Sequence, residues 1–164
     1  MQTMYKPYLS IEKEQIVVSC GCGKNARVDS LSFKRDLADI TRLMATGPHY
    51  KNWPLKSIER LIVPPVNLTQ YKLFRHAKKT VGFVTWAFMS EESSISFDHG
   101  TRLLQPSDFS SGDRLWVMDF CVSSEAPKGL PQKMVRYIRN TFKGRQFWWR
   151  RANKETKLVR SFHA

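Results

Sequence analysis

The chain has 164 residues, 41% hydrophobic and 25% charged, as expected of a single globular domain with a sizeable core. No apolar run reaches the roughly 18–20 residues that a membrane-spanning helix needs, and three cysteines are too few for a disulfide scaffold. The first residues, MQTMYKPYLSIEKEQ, contain no charged start followed by an apolar stretch, so we expect no secretory signal and a cytoplasmic protein.

The net charge of +13 lies mostly in the last quarter of the chain. Residues 126–164 contain eleven Lys and Arg residues and one acid, whereas residues 1–125 contain sixteen and thirteen. Such a field attracts an acidic partner, which in principle includes nucleic acid, an anionic membrane surface, an acidic protein or a phosphate-bearing cofactor.

Residues 1–30 are interpreted as an N-terminal extension, with a short strand in QIVVSC, and residues 31–164 as one domain. The domain opens with a predicted helix whose apolar residues recur at steps of four, three and four: Phe33, Leu37, Ile40 and Met44. Gly47-Pro48 ends this helix. A second short helix is predicted in NWPLKSIERLIV, closed by Pro64-Pro65. The segment TGPHYKNWP is therefore a tight corner between two helices.

Strand patterns follow Pro65. The segments NLTQYKLFRH and VGFVTWAFMS flank AKK and predict an antiparallel hairpin. Residues 91–112 are polar and contain Gly, Pro and Ser, so we expect an irregular segment with at most one helical turn. The next segment, DRLWVMDFCV, is almost entirely apolar, which is typical of a strand buried on both faces.

The C-terminal part contains an amphipathic helix and two more strands. The segment APKGLPQKMVRYIRNTFKG places an apolar stripe on one side, formed by Met134, Val135, Ile138 and Phe142, and basic residues on the other. The segments RQFWWRR and TKLVRSFHA predict a last pair of strands. The order of elements predicts an α+β fold, a mixed, mostly antiparallel sheet flanked by helices.

Asp119 is the one charge in LWVMDFCV. On strict alternation it shares a strand face with Leu115, Val117 and Cys121. Burying a carboxylate is costly unless the group is paired or hydrogen-bonded. Asp119 is therefore either a structural aspartate or a carboxylate that orients and charges a histidine, as in acyl-transfer chemistry.

His49, in the corner, is the best-placed histidine for such a pairing, although a structural role in the turn is the simpler reading. His76 lies at the hairpin turn, His99 in a polar loop and His163 next to the last residue. None stands at zinc-finger spacing from the CGCG motif, so no metal site is predicted. The basic helix and WWRR are also compatible with single-stranded nucleic acid, but no nucleic-acid-binding motif supports that reading.

Four motifs occur in one order: the N-W-P corner, a P-x-x-x-x-Q-Y strand entry, a T-W-A strand and S-G-D-R-x-W-x-x-D. Over roughly residues 36–164 the chain thereby resembles the toxin-activating lysine acyltransferases, the cytosolic enzymes that activate RTX haemolysins. The resemblance implies a fold similar to the Gcn5-type N-acetyltransferases and a homodimer. It also implies transfer of a fatty acyl group from acyl-acyl carrier protein to internal lysines of a protein substrate, with no bound cofactor.

The resemblance also assigns roles to residues. The family aspartate corresponds to Asp119. The family histidine stands two residues before the Asn of N-W-P, where this chain has Tyr50, and the chain's own histidine is one place earlier. We predict His49 as the working imidazole and Tyr50 as a second candidate. The acidic carrier is expected to dock on a basic surface formed by Lys133, Arg136, Arg139, Lys143, Arg150 and Arg151.

In the predicted mechanism the acyl chain lies in a groove lined by Asn52, Trp53, Trp86, Phe88 and Trp116. His49, oriented by Asp119, takes a proton from the target lysine, which attacks the thioester, and an acyl-histidine intermediate is a variant. The main alternative is a catalytically silent relative that binds nucleic acid or an acidic protein. An acetyltransferase that uses coenzyme A is less favoured, because EAPKGLP only partly resembles a Gly-rich pyrophosphate loop.

Overall fold

The computed structural model describes residues 17–19, 25–27, 30–152 and 157–163. The strand predicted in QIVVSC is confirmed as β1 (Val17–Ser19), which pairs antiparallel with β2 (Asn25–Arg27). The rest of the N-terminal extension lies outside the described residues, apart from Ser30, where α1 begins.

A five-stranded sheet forms the centre of the domain, in the order β3-β4-β5-β6-β7. Three of its neighbouring pairs are antiparallel, and β5 and β6 are parallel. This arrangement confirms the predicted α+β class with a mixed, mostly antiparallel sheet. The strands are β3 (Tyr71–His76), β4 (Lys79–Met89), β5 (Arg114–Val122), β6 (Gln146–Ala152) and β7 (Lys157–His163).

Helices cover both faces of the sheet. The α5 side of the sheet, where Val84, Leu115 and Val117 point, holds one apolar cluster. On the opposite face α1 and α3 pack over Phe83, and Phe97 and Phe109 pack against Trp116. The helices are α1 (Ser30–Thr46), α2 (Leu55–Leu61), α3 (Val63–Asn67), α4 (Glu91–His99) and α5 (Leu130–Thr141), with a 3₁₀ helix at Pro106–Phe109. None of the described helices is long and apolar enough to cross a membrane.

The predicted apolar stripe of α1 is confirmed. Ile40 and Met44 are buried in the cluster over β4, and Phe33 and Leu37 pack against it. The helix ends at Thr46, because Pro48 disfavours helical backbone for Gly47, the residue before it. The chain then turns sharply into the corner.

The second helix ends before Pro64-Pro65, as predicted, with α2 closing at Leu61. The prediction missed a further helix, because both prolines lie at the start of α3, which begins two residues later. The first-turn N–H groups of a helix have no partner within the helix, so proline is tolerated there.

The prediction of an irregular segment over residues 91–112 is wrong, because α4 occupies nine of these residues. The Ser90 side chain accepts a hydrogen bond from the backbone N–H of Ser93 (3.1 Å) and so caps the helix. Gly100 ends it with a left-handed conformation (φ 67°). These capping residues were visible in the sequence. They favour a helix more strongly than the polar composition of the segment disfavours one.

The expectation of strict alternation along β5 fails at a β-bulge. Thr85 of β4 pairs with Asp119, but the next residue, Trp86, pairs with Val117, so Met118 is the extra residue. Met118 packs with Trp116 on the α1 side of the sheet, and Asp119 faces that side too. Leu115 and Val117 point to the α5 side. The bulge thus moves Asp119 to the face on which the corner lies.

Candidate active site

The corner between α1 and α2 is a series of tight turns. The Tyr50 N–H donates to the Gly47 carbonyl (3.1 Å), and the Trp53 N–H donates to the Tyr50 carbonyl (2.9 Å). These turns direct the ring of Tyr50 inward over the sheet, where it lies 6.3 Å from the ring of Phe83. The same turns leave His49 on the outside, where it is exposed.

The inward-facing Tyr50 reaches the predicted aspartate. Its hydroxyl donates to Asp119 Oδ1 at 3.2 Å. The second carboxylate oxygen, Oδ2, accepts from the Thr85 hydroxyl at 3.0 Å. The three residues come from the corner, β4 and β5 and form one buried polar group. The structure therefore brings Tyr50, and not His49, into hydrogen-bonding contact with Asp119.

Burial controls the ionisation of this group. Only 8% of Asp119 is exposed. Burial raises its pKa to about 6, against smaller opposing effects of the Thr85 and Tyr50 hydrogen bonds and of the charge on His49. Burial and the adjacent carboxylate raise the pKa of Tyr50 far above its ordinary value. The phenol is therefore neutral at physiological pH and acts as a hydrogen-bond donor, not as a base.

His49 lies beside this buried group. Its ring meets the ring of Tyr50 edge-on at 4.9 Å and that of Trp53 at 5.9 Å. The hydrogen bonds to the Asp119 side chain come from Tyr50 and Thr85, whereas His49 interacts with the carboxylate through its charge. An exposed imidazole over a buried carboxylate is a base that an incoming substrate can reach.

The residues predicted to line one acyl groove do not lie together. Trp86 and Phe88 are on the α5 side of the sheet, each in contact with the ring of Phe142 (5.4 and 5.9 Å). Trp116 is on the opposite side, where its indole N–H donates to Ser94 Oγ at 2.8 Å. Asn52 and Trp53 lie in the corner itself, exposed and half-buried respectively.

A different set of residues lines a small apolar depression. It lies between α5 and the two parallel strands, near the point where their ladder ends at the Val117–Trp149 pair. Its lining side chains are all apolar: Val117, Phe120, Val135, Ile138, Phe147 and Trp149. Sequence reasoning missed it, because the separation of two paired strands has no sequence signal of its own.

The outer surface of α5 is basic, as predicted. Its apolar stripe is inward, with Met134 and Ile138 buried. The predicted docking residues of this helix and of the turn after it are all exposed: Lys133, Arg136, Arg139 and Lys143. Arg150 and Arg151 lie in β6, and their side chains are outside the described part of the chain.

Cys121 also lies near the carboxylate, two residues further along β5. Burial and the neighbouring Asp119 raise the pKa of its thiol to about 11. A neutral buried thiol is a weak nucleophile, so Cys121 is a packing residue of the cluster that holds Tyr50.

Comparison with known proteins identifies similar sequences. A model of the RTX toxin acyltransferase family matches residues 30–163. The protein-lysine myristoyltransferase HlyC of Escherichia coli is 29% identical over 129 residues, covering 77% of this chain and 72% of that protein. The RTX-I toxin-activating lysine-acyltransferase ApxIC of Actinobacillus pleuropneumoniae is 26% identical over 129 residues, covering 77% and 73%.

A third relative matches a shorter segment. The protein-lysine palmitoyltransferase CyaC of Bordetella bronchiseptica is 30% identical over 84 residues, or 51% of this chain and 45% of that protein. Among solved structures, an acetyltransferase matches with a TM-score of 0.37 and 12% identity, covering 75% of this chain and 76% of the other. A TM-score this low does not establish a shared fold.

Proposed function

Since the chain belongs to the RTX toxin acyltransferase family and is an acyltransferase, we propose that it moves a fatty acyl group from an acyl-acyl carrier protein to internal lysines of a toxin-like protein. The observation that supports this most is the arrangement in the corner. An exposed imidazole, His49, packs on Tyr50, whose hydroxyl is bonded to the buried carboxylate of Asp119.

His49 acts as the general base. A lysine side chain is protonated at neutral pH and attacks a thioester only as the free amine. In the proposed step the lysine nitrogen attacks the thioester carbonyl while His49 accepts the proton that the nitrogen loses. The tetrahedral intermediate then collapses to an amide as the carbon–sulfur bond breaks, and the carrier thiolate takes the proton back from His49.

Asp119 supports this step from beneath the surface. It is too buried to touch a substrate, but its carboxylate lies close enough to His49 for the two charges to interact. The negative charge stabilises the positive charge that the imidazole carries during the reaction. Tyr50 separates the two groups and holds Asp119 by its hydrogen bond.

The basic surface of α5 receives the carrier protein. Acyl carrier protein is strongly acidic, and α5 contains no acidic residue. Four exposed basic side chains lie along this helix and the turn after it: Lys133, Arg136, Arg139 and Lys143. Complementary charge of this kind speeds encounter and orients the partners. The apolar depression beneath α5 is the proposed contact for part of the acyl chain.

The substrate and the setting are proposed from the relatives. All three are named as toxin-activating or as acting on protein lysines, so a toxin-like protein is the proposed acceptor. A cytoplasmic location and a homodimer, which the resemblance implies, belong to the same proposal. Sedimentation velocity of the full chain tests the dimer.

Transfer by the wild-type chain tests the proposed function directly. Radiolabelled acyl-acyl carrier proteins of several chain lengths are incubated with the enzyme and a lysine-containing RTX protein fragment. We expect label in the fragment as a hydroxylamine-resistant amide on lysine. Failure with all acyl carrier proteins, together with salt-sensitive nucleic-acid binding, would instead support the silent basic binding module.

A further inference from the structure

Thr85 is a hydroxyl residue in a strand whose neighbouring side chains are apolar. It has no exposed surface. Valine has nearly the same shape and would avoid burying a hydroxyl, which is costly unless the hydroxyl is hydrogen-bonded. The contacts of the Thr85 hydroxyl therefore offset the cost of burying it.

Among the described residues, both hydrogen bonds of that hydroxyl are to Asp119. Thr85 Oγ1 donates to Asp119 Oδ2 (3.0 Å) and accepts from the backbone N–H of Asp119 (3.1 Å). A single atom thus joins the carboxylate to its own backbone. Rotation of the Asp119 side chain away from the corner would break the first contact and leave Oδ2 buried without a partner.

The contact lies at the β-bulge that sets the direction of Asp119. Thr85 and Asp119 are the last regular pair before Met118 interrupts the ladder. A bulge increases local twist and breaks the regular pairing. The threonine hydroxyl holds the Asp119 side chain next to this irregular pair, and Oδ1 is left to accept from Tyr50.

We propose that Thr85 is a positioning residue of the acyl-transfer reaction, which holds the Asp119 carboxylate toward the Tyr50–His49 corner by this two-point contact. The proposal rests on the proposed function, since it assumes that Asp119 supports His49. Thr85 touches neither substrate, and it acts through Asp119 alone.

Loss of the Thr85 hydroxyl changes the pKa of Asp119, which a loss of packing alone would not do. The titratable groups that face Asp119 are His49 and Tyr50 from the corner and Cys121 from β5. The Thr85 hydrogen bond favours the ionised carboxylate over the neutral acid. Without it the pKa of Asp119 rises, so the acid limb of the pH profile moves to higher pH.

The chain offers a matched control. Thr80, on the same strand, donates its hydroxyl to Asp39 Oδ2 at 2.8 Å, on the α1 side and away from the corner. Thr85→Val and Thr80→Val therefore remove the same kind of bond from two places. Thr85→Ser keeps the hydroxyl and removes a methyl group, which separates bonding from packing.

The test measures acyl transfer from radiolabelled acyl-acyl carrier protein between pH 5 and 9. We expect Thr85→Val to lower kcat about tenfold and to move the acid limb upward by about one pH unit. Thr85→Ser should retain both values, and Thr80→Val should match the wild type. The proposal would be overturned if Thr85→Val kept the wild-type kcat and the wild-type acid limb of the pH profile. It would also be overturned if Thr85→Ser lost as much activity as Thr85→Val.

A second measurement tests the Thr85 contact independently of the proposed acyl donor. The side-chain carboxyl of Asp119 is titrated by NMR in ¹³C-labelled protein, with Asp119→Asn to assign its resonance. An upward shift of its midpoint in Thr85→Val and not in Thr80→Val is expected, whatever the acyl donor is. An unchanged midpoint in Thr85→Val overturns the positioning contact. If the midpoint shifts in Thr85→Val but the wild-type protein does not use acyl-acyl carrier protein, the proposed donor is overturned instead.

Discussion

Two neighbouring side chains of the corner differ in what they can do. Tyr50 is buried and bonded to Asp119, and His49 is exposed against its ring. The sequence predicted that a histidine or a tyrosine here would work with Asp119, and it predicted that Asp119 is buried. It did not show which side chain turns inward, because that depends on the turns that Gly47 and Trp53 form.

At this scale the raised pKa of Asp119 predicts a pH-dependent stability. Its folded-state pKa of about 6 lies above the ordinary value for an aspartate, so the folded protein binds the proton more tightly. The free energy of unfolding contributed by this group therefore falls as pH rises from about 4 to 6, by roughly 3 kcal/mol at most.

Urea denaturation of the wild type and Asp119→Asn at several pH values checks this. The wild type should lose stability relative to Asp119→Asn as pH rises through that window. Asp108, whose pKa Arg102 holds well below its usual range, contributes in the opposite direction in both proteins and cancels. A difference between the two proteins that does not change with pH would contradict the prediction.

Among the elements, β5 decides where the site forms. Its apolar composition predicted a buried strand, and the strand is buried. Alternation placed Asp119 with Leu115 and Val117, but the bulge at Met118 puts it on the opposite face. A bulge depends on the backbone of both paired strands, so a period-two pattern in one strand cannot reveal it. The α4 helix, in contrast, was missed although its caps were readable.

Gly112, in the segment just before β5, predicts a loss of stability on substitution. A Cβ there would lie 2.6 Å from Ser90 Cα and 2.7 Å from the Met89 carbonyl oxygen, both in the backbone. These atoms cannot move without displacing the end of β4. We expect Gly112→Ala to lower the free energy of unfolding by about 1–3 kcal/mol.

Chemical denaturation measures this loss, and Asp113→Ala, at the exposed next residue, serves as the control. The control should remain within about 0.5 kcal/mol of the wild type. If Gly112→Ala were as stable as Asp113→Ala, the close approach of this segment to the end of β4 would be wrong.

For the whole molecule, charge is the property that sequence described best. The basic C-terminal quarter was visible from composition, and its helix presents that charge outward while its apolar stripe packs on the sheet. Composition alone left the partner open among several acidic molecules. The family match narrows the activity to acyl transfer, and an acidic acyl carrier is the proposed partner.

The α5 surface predicts how binding of the carrier depends on charge. Lys133→Glu and Arg136→Glu should each raise the KM for acyl-acyl carrier protein by about threefold to tenfold, with kcat nearly unchanged. Lys34→Glu makes the same charge change on the exposed side of α1 and should leave KM near the wild-type value. Steady-state kinetics at two salt concentrations measure this.

If the three variants changed KM equally, only the net charge of the protein would matter, and α5 would not be the docking surface. If none of the variants changed KM at either salt concentration, the proposal that basic residues bind the carrier would be wrong.

The central claim is that an exposed histidine performs the chemistry next to a buried tyrosine–aspartate pair. Single-turnover transfer from radiolabelled acyl-acyl carrier protein tests it in His49→Ala and Tyr50→Phe. The control is Tyr71→Phe, which removes a similar bond, from the Tyr71 hydroxyl to Asp36 Oδ2 (2.7 Å), away from the corner. We predict a loss of at least about 100-fold for His49→Ala, about tenfold for Tyr50→Phe, and none for Tyr71→Phe. A His49→Ala enzyme with the wild-type rate, beside an inactive Tyr50→Phe, would contradict the account and make Tyr50 the reacting residue.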